Sequence, residues 1–285
     1  METHKLLLTD PDYPKLLKSI TDPPPQLFWA GQSLEEFMQR PRLAIVGSRR
    51  VSAYGREVTL KLARELASRG IVIISGLALG VDAIAHRGAL EGSGQTIAVM
   101  PTSLDKIYPA NNAGLGRRIV ANGGTLVSEY APGTPFQFKY NFVARNRIIS
   151  GLADAVLITE AAADSGSLHT AEFALQQGRE VLVVPGNITS PTSEGTNNLI
   201  KLGASPVTEA LDILRLFGLD SKMDQRAKQG STAAEQLVLD LLSAGTHDGD
   251  ALLITSGLPV ADFNQALTML EINGQVQAGG ANTWY

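Results

Sequence analysis

Short, unbroken apolar runs alternate along this chain with segments of helical spacing. Leu43-Ala44-Ile45-Val46, Ile71-Val72-Ile73-Ile74 and residues 96–100, 125–128, 155–159 and 181–184 are mostly aliphatic. Runs of this kind, without polar alternation, predict strands buried on both faces. Between them, residues 57–69 carry Val58, Leu60, Leu62, Ala63, Leu66 and Ala67 at the intervals of an amphipathic helix. Residues 81–91, 112–121, 145–153 and 168–177 also read as helices. Strand and helix in strict alternation predict an α/β fold with a doubly wound parallel sheet.

The two ends read differently. In residues 1–39, Pro11, Pro14 and Asp22-Pro23-Pro24-Pro25 forbid a continuous helix. A short helix over 15–20 and a short strand over 26–29 are expected there, in an extension packed on a core domain of residues 40–217. Residues 218–232 lack apolar periodicity and read as a linker. Helices are then predicted over 234–243, 250–256 and 260–271, the last with Phe263, Ala266, Leu267 and Leu270 on one face. A hairpin from Gly274 to Trp284 follows, so residues 233–285 read as a small winged-helix domain.

Composition narrows the class. The 285 residues are 44% hydrophobic and 18% charged, which excludes global disorder. No apolar run approaches the ~18 residues of a membrane helix. Met1-Glu2-Thr3-His4-Lys5 contains no apolar signal core, so a cytoplasmic protein is expected. The chain has no Cys, which excludes disulfides, thiolate zinc sites and cysteine nucleophiles. His4, His86, His169 and His247 form no metal motif, and no cofactor is expected. Net charge is −4, but residues 40–150 carry fifteen Lys or Arg against six Asp or Glu. Such a block attracts polyanions whatever the overall balance.

In an open α/β sheet, function gathers at the carboxyl ends of strands. The first predicted core strand ends in Gly47-Ser48-Arg49-Arg50, where glycine admits a phosphate and the arginines supply charge and paired donors. The second ends in Ser75-Gly76-Leu77-Ala78-Leu79-Gly80-Val81-Asp82. Lys139-Tyr140-Asn141-Phe142-Val143-Ala144-Arg145-Asn146-Arg147 combines cations with aromatic rings, as an unpaired strand requires. With a helix starting at Arg145, cations would oppose its macrodipole unless an anion were bound. Ser165-Gly166-Ser167 enters another helix and is phosphate-compatible. No dinucleotide or P-loop fingerprint is present. His86 and His169 read as core or loop residues, and Asp82 and Glu160 as loop-ordering acceptors of backbone N–H groups.

Taken in order, these motifs resemble the DNA-processing protein A family (DprA, also called Smf). Val46-Gly47-Ser48-Arg49, Ser75-Gly76-Leu77-Ala78 with Gly80, Asp82 and His86, Tyr108-Pro109, Ser128-Glu129-Tyr130, Arg145-Asn146-Arg147-Ile148-Ile149, Ser165-Gly166-Ser167 with Thr170-Ala171, and Pro185-Gly186 carry the likeness over residues 10–210. The resemblance implies an extended Rossmann-like domain and a homodimer. It implies a protein that binds single-stranded DNA, displaces single-strand-binding protein and loads the RecA recombinase during natural transformation, without catalysis. By motif position, Arg49 and Lys139 would contact phosphate, Ser48 would share the Arg49 loop, and Phe142 would stack a base. Arg145 and Arg147 would line the same pocket. Gly47, Arg50, Gly76, Asn146, Ser165, Gly166 and Ser167 complete the expected DNA-binding set.

Two features pull away from that picture. Residues 231–285 hold no Lys or Arg and six acidic residues. Duplex affinity leans on cations, so this tail is expected to contact a protein or the basic block rather than DNA. An enzymatic alternative is a nucleoside-monophosphate phosphoribohydrolase-like activity with Arg147 and Glu172 in active roles. Against it, Ala161-Ala162-Ala163-Asp164-Ser165-Gly166-Ser167 stands where those enzymes have a Pro-Gly-Gly loop.

Overall fold

The computed structural model describes residues 2–220, 230–273, 275–280 and 282–284. Most of the expected linker and Gly274 of the expected hairpin lie outside those residues. The chain divides into two compact units, Met1–Ile213 and Leu214–Tyr285.

The first unit is built on a nine-stranded sheet among the described residues. Its strands are β1 (His4–Leu7), β2 (Gln26–Gly31), β3 (Arg42–Val46), β4 (Val72–Ser75), β5 (Thr96–Val99), β6 (Thr125–Ser128), β7 (Ala155–Ile158), β8 (Glu180–Val183) and β9 (Ser205–Pro206). They lie in the order β1-β2-β6-β5-β4-β3-β7-β8-β9. From β6 through β9 the pairings are parallel. The N-terminal segment adds an antiparallel margin, β2 on β6 and β1 on β2. The expected sheet is therefore mostly parallel, and residues 1–39 extend it. β3 is the switch: the chain moves from it to one side through β4, β5 and β6, then returns to its other side at β7. A crevice opens at such a point beyond the strand ends.

The helices are α1 (Lys15–Lys18), α2 (Leu34–Met38), α3 (Ala53–Ser68), α4 (Val81–Glu91), α5 (Ala113–Ala121), α6 (Phe138–Leu152), α7 (Leu168–Gln176), α8 (Glu194–Lys201) and α9 (Ala210–Leu216). Successive strand residues feed opposite faces, as the pleat dictates. Ile97, Val99 and Val127 join a core with Tyr13, Leu17, Phe37, Ile148, Ile149 and Leu152. Ala98 and Leu126 point to the other face, with Phe28, Leu77, Leu115 and Ile119.

The C-terminal unit holds α10 (Ala233–Ser243), α11 (Gly249–Ser256) and α12 (Val260–Ile272), then the strand pair β10 (Ala278–Gly280) and β11 (Thr283–Trp284). Val238, Leu242, Leu252, Phe263, Leu267 and Leu270 form its separate core. Thr232 caps α10 by accepting from the Glu235 amide at 3.2 Å. The Glu235 carboxylate accepts in turn from the Ser231 amide at 2.6 Å.

Candidate nucleic-acid interface

A cleft of about 660 Å³ lies at the switch point, between the loops that leave β3 and β7 and the flank of α6. The β3 loop supplies Gly47, Ser48, Arg49 and Arg50; the β7 loop supplies Ser165, Gly166 and Ser167; α6 supplies Phe142, Arg145 and Asn146. Two segments more than a hundred residues apart in sequence are thus brought to one concavity.

The β3 loop is held from below. The Ser48 amide donates to the Glu160 carbonyl at 2.7 Å, and the Val81 amide donates to the Ser48 carbonyl at 3.1 Å. Ser48 Oγ accepts from the Arg50 amide at 3.0 Å. Gly80 allows this close approach: its φ is +80°, and a Cβ there would stand 2.2 Å from the Ser48 carbonyl oxygen. Arg49 and Arg50 are both exposed, and among the described residues neither forms an ion pair.

The carboxylates nearby are structural, as expected. Asp82 accepts from the Gly76 and Ala78 amides at 3.1 and 3.4 Å. Burial raises its pKa, and the Arg145 charge and those amides pull against the rise. Glu160, 2% exposed, accepts from the Ser52 amide at 2.8 Å and the Thr192 hydroxyl at 2.8 Å. His86 is fully buried, with Nδ1 2.7 Å from the Thr96 hydroxyl. Burial lowers its pKa to about 3, so it is neutral at pH 7.

The α6 residues differ most from expectation. The helix begins at Phe138, not near Arg145, so Arg145 and Arg147 sit in its interior and the macrodipole argument loses its force. Arg145 is 3% exposed and donates to the carbonyls of Gly76, at 2.6 Å, and Val99. These groups lie at the ends of β4 and β5, where the ladder leaves carbonyls open. A Cβ on Gly76 would stand 2.2 Å from Arg145 Nη1, so glycine makes room for the guanidinium. Gly76 therefore stands behind the cleft wall rather than lining it. Burial lowers the Arg145 pKa to about 10, with Asp82 opposing the fall and Arg49 adding to it; the group stays charged at pH 7.

Arg147 does not line the cleft. Its guanidinium holds both Glu129 oxygens, at 2.9 and 2.7 Å, and Nε reaches Asp22 Oδ2 at 3.0 Å. It ties α6 to the N-terminal segment and to the end of β6. Glu172 pairs instead with His169 at 3.1 Å on an exposed surface. The Arg147 and Glu172 roles of the enzymatic alternative thus have no common centre in the cleft.

Phe142 is 8% exposed and enclosed. The Arg49 guanidinium lies 4.3 Å from its ring centre, and Tyr108 and Phe136 meet it edge-on at 5.9 and 6.0 Å. Asn146 bridges from α6 to the β7 loop, donating to the Gly166 carbonyl at 3.4 Å. Ser165 and Ser167 share a hydroxyl hydrogen bond of 2.8 Å where that loop enters α7. Lys139 lies in the first turn of α6, its side chain outside what the structure describes. Sequence reasoning missed Phe136, Tyr108, Asn141 and Thr192 around this site. The Tyr108-Pro109 and Lys139–Arg147 motifs flanked the first three.

Fold and cleft together define a doubly wound α/β protein whose switch-point crevice is lined by arginines and helix-entry serines, continued in sequence by a winged helix. The chain belongs to the DNA recombination-mediator protein A family: that family's model matches residues 4–218, and the DprA winged helix domain matches residues 223–282. It is 41% identical to Protein Smf of Escherichia coli K12, over 96% of this chain and 75% of that protein. It is equally identical, at 41%, to DNA processing protein DprA of Streptococcus pneumoniae R6, over 74% of this chain and 73% of the relative. The match to Protein Smf of Synechocystis spans 55% of that longer relative. Among solved structures, DNA processing protein A of S. pneumoniae aligns with a TM-score of 0.69 at 39% identity, over 75% of this chain and 74% of that one. DNA processing protein A of Helicobacter pylori, solved to describe its single-stranded DNA binding mode, aligns with a TM-score of 0.69 at 36% identity, over 77% and 97%. Among the described residues no helix is long and apolar enough to cross a membrane.

Proposed function

We propose that this protein binds single-stranded DNA in the switch-point cleft and acts there as a recombination mediator without catalysis. One observation carries the reading: Arg49 and Arg50, exposed and without a carboxylate partner among the described residues, face the Ser165-Gly166-Ser167 helix entrance across one cleft. Guanidinium forks and a helix N-terminus both suit phosphate oxygens. In this arrangement Gly47, Ser48, Arg49 and Arg50 take one stretch of backbone, and Ser165, Gly166, Ser167 and Asn146 the next. Lys139 adds charge at the start of α6. Arg145 and Gly76 form the fixed floor, and Phe142 the aromatic wall against which bases come to lie. Family membership and the single-stranded DNA complex of the H. pylori relative support the assignment.

The role extends to protecting incoming strands, displacing single-strand-binding protein and loading RecA during natural transformation, with the protein working as a homodimer. It needs no cofactor. Fluorescence anisotropy of labelled oligothymidylate across a salt series tests the binding step. Log affinity should fall with log salt by about 0.7 for each neutralised phosphate, and unlabelled duplex should compete poorly. Flat salt dependence, or equal competition by duplex, would overturn the reading. Release of free base from AMP would favour the phosphoribohydrolase instead.

A further inference from the structure

The enclosure of Phe142 leaves the question of which ring receives a base. Both cations near it are already in use against it: Arg49 covers it at 4.3 Å and Arg145 approaches at 5.7 Å. Tyr108 and Phe136 occupy its edges. A base stacking there must first displace Arg49, the cation best placed for phosphate. Phe136 is in the opposite situation. It is 36% exposed, in the segment that leads into α6, and its ring rests on Tyr108 at 5.2 Å with the planes tilted by 46°. It also touches Phe142, so it continues the cleft wall outward without a break.

We propose that Phe136, backed by Tyr108, is a base-stacking subsite for the unpaired strand as it leaves the cleft, and that Phe142 is a positioning residue that fixes Phe136 and Arg49 around it. The inference rests on the cleft being a single-strand site. The occupant is an unpaired nucleobase, because every base offers a π-face while a duplex hides its own faces in the stack. The contact is therefore tolerant of sequence and blind to paired DNA. Cation and ring then act on different parts of one nucleotide: Arg49 keeps its place on Phe142 and meets the phosphate, and Phe136 meets the base.

The test uses the full chain and oligothymidylate carrying one 5-iodouracil at successive positions. Photocrosslinks located by mass spectrometry should fall on Phe136 or Tyr108 for a base just outside the cleft. In parallel, Phe136→Leu should weaken oligothymidylate binding about tenfold, with the salt slope unchanged, because stacking is lost and no charge is. Phe136→Trp should restore the affinity. Thermal melting of Phe136→Leu should match that of the wild type, since the ring lies at the surface. Wild-type affinity in Phe136→Leu, with crosslinks confined to other segments, would overturn the subsite while leaving the cleft assignment standing. Failure of the wild-type chain to bind oligothymidylate would overturn both.

Discussion

Residues 40–150 hold fifteen Lys and Arg, whereas residues 231–285 hold none, although both stretches belong to folds that serve nucleic acids elsewhere. The winged helix is a common duplex reader, yet here its third helix, α12, presents no cation. The α/β unit has no groove-reading element, yet its switch-point cleft presents Arg49 and Arg50 to solvent. The lesson is that architecture supplies the places and charge decides which are used. A count of cations is still too coarse. Arg42 is 7% exposed and spent on Asp154 at 2.7 Å, and Arg147 is spent on Glu129 and Asp22. These hold the α/β unit together. What remains for a ligand is smaller and more local than the block suggests.

The two units can be followed separately, because the chain has two tryptophans, Trp29 in the first and Trp284 in the second. The largest effect belongs to Arg147. Its side chain is 10% exposed and its partner Glu129 13%, so Arg147→Ala strands a buried carboxylate and should cost about 3–5 kcal/mol. Urea unfolding read by Trp29 should shift by that amount, and the Trp284 transition should stay in place. Equal shifts in both would merge the two units into one cooperative body.

Next is acid sensitivity. The folded pKa of His86, about 3, lies below the ordinary 6.5. The unfolded chain therefore binds the extra proton between these values, and stability falls as pH drops through that window. The slope should be about 1.4 kcal/mol per pH unit just below pH 6.5. It should be visible at Trp29 and reduced in His86→Gln; an unchanged slope in that variant would assign it to other groups. Smaller again is the α10 cap: Thr232→Ala should cost about 1 kcal/mol, read at Trp284 alone. Last, removing residues 231–285 should leave oligonucleotide affinity unchanged or slightly raised. A tenfold loss would place a DNA-binding surface on the acidic unit.

The strands and the ends of the sheet were legible because burial on both faces writes itself as plain aliphatic runs. α6 was only half legible, for a physical reason. Its buried face runs through Asn141, Phe142, Arg145, Ile148, Ile149 and Leu152, so two polar residues occupy core positions. Asn141 donates to the Pro101 carbonyl at 3.0 Å, and Arg145 serves the open carbonyls beyond β4 and β5. A periodicity argument registers such residues as solvent-facing. Arg147 was misplaced for a related reason: Asp22 is far away in sequence, and nothing local announces their pairing. By contrast, the β3 loop and the β7 loop could be chosen from their composition alone, since each follows a recognisable strand and enters a helix. The ring contacts of Phe136 depend on Tyr108, in a different loop, and only the folded chain brings them together.

The central claim is that the exposed arginines of the β3 loop meet the phosphates of an unpaired strand. It is tested most directly by the salt dependence of oligothymidylate binding in the Arg49→Ala, Arg50→Ala double variant. Loss of two phosphate contacts should flatten the log–log slope by about 1.4, with the melting temperature kept. A slope equal to that of the unaltered chain would contradict the claim.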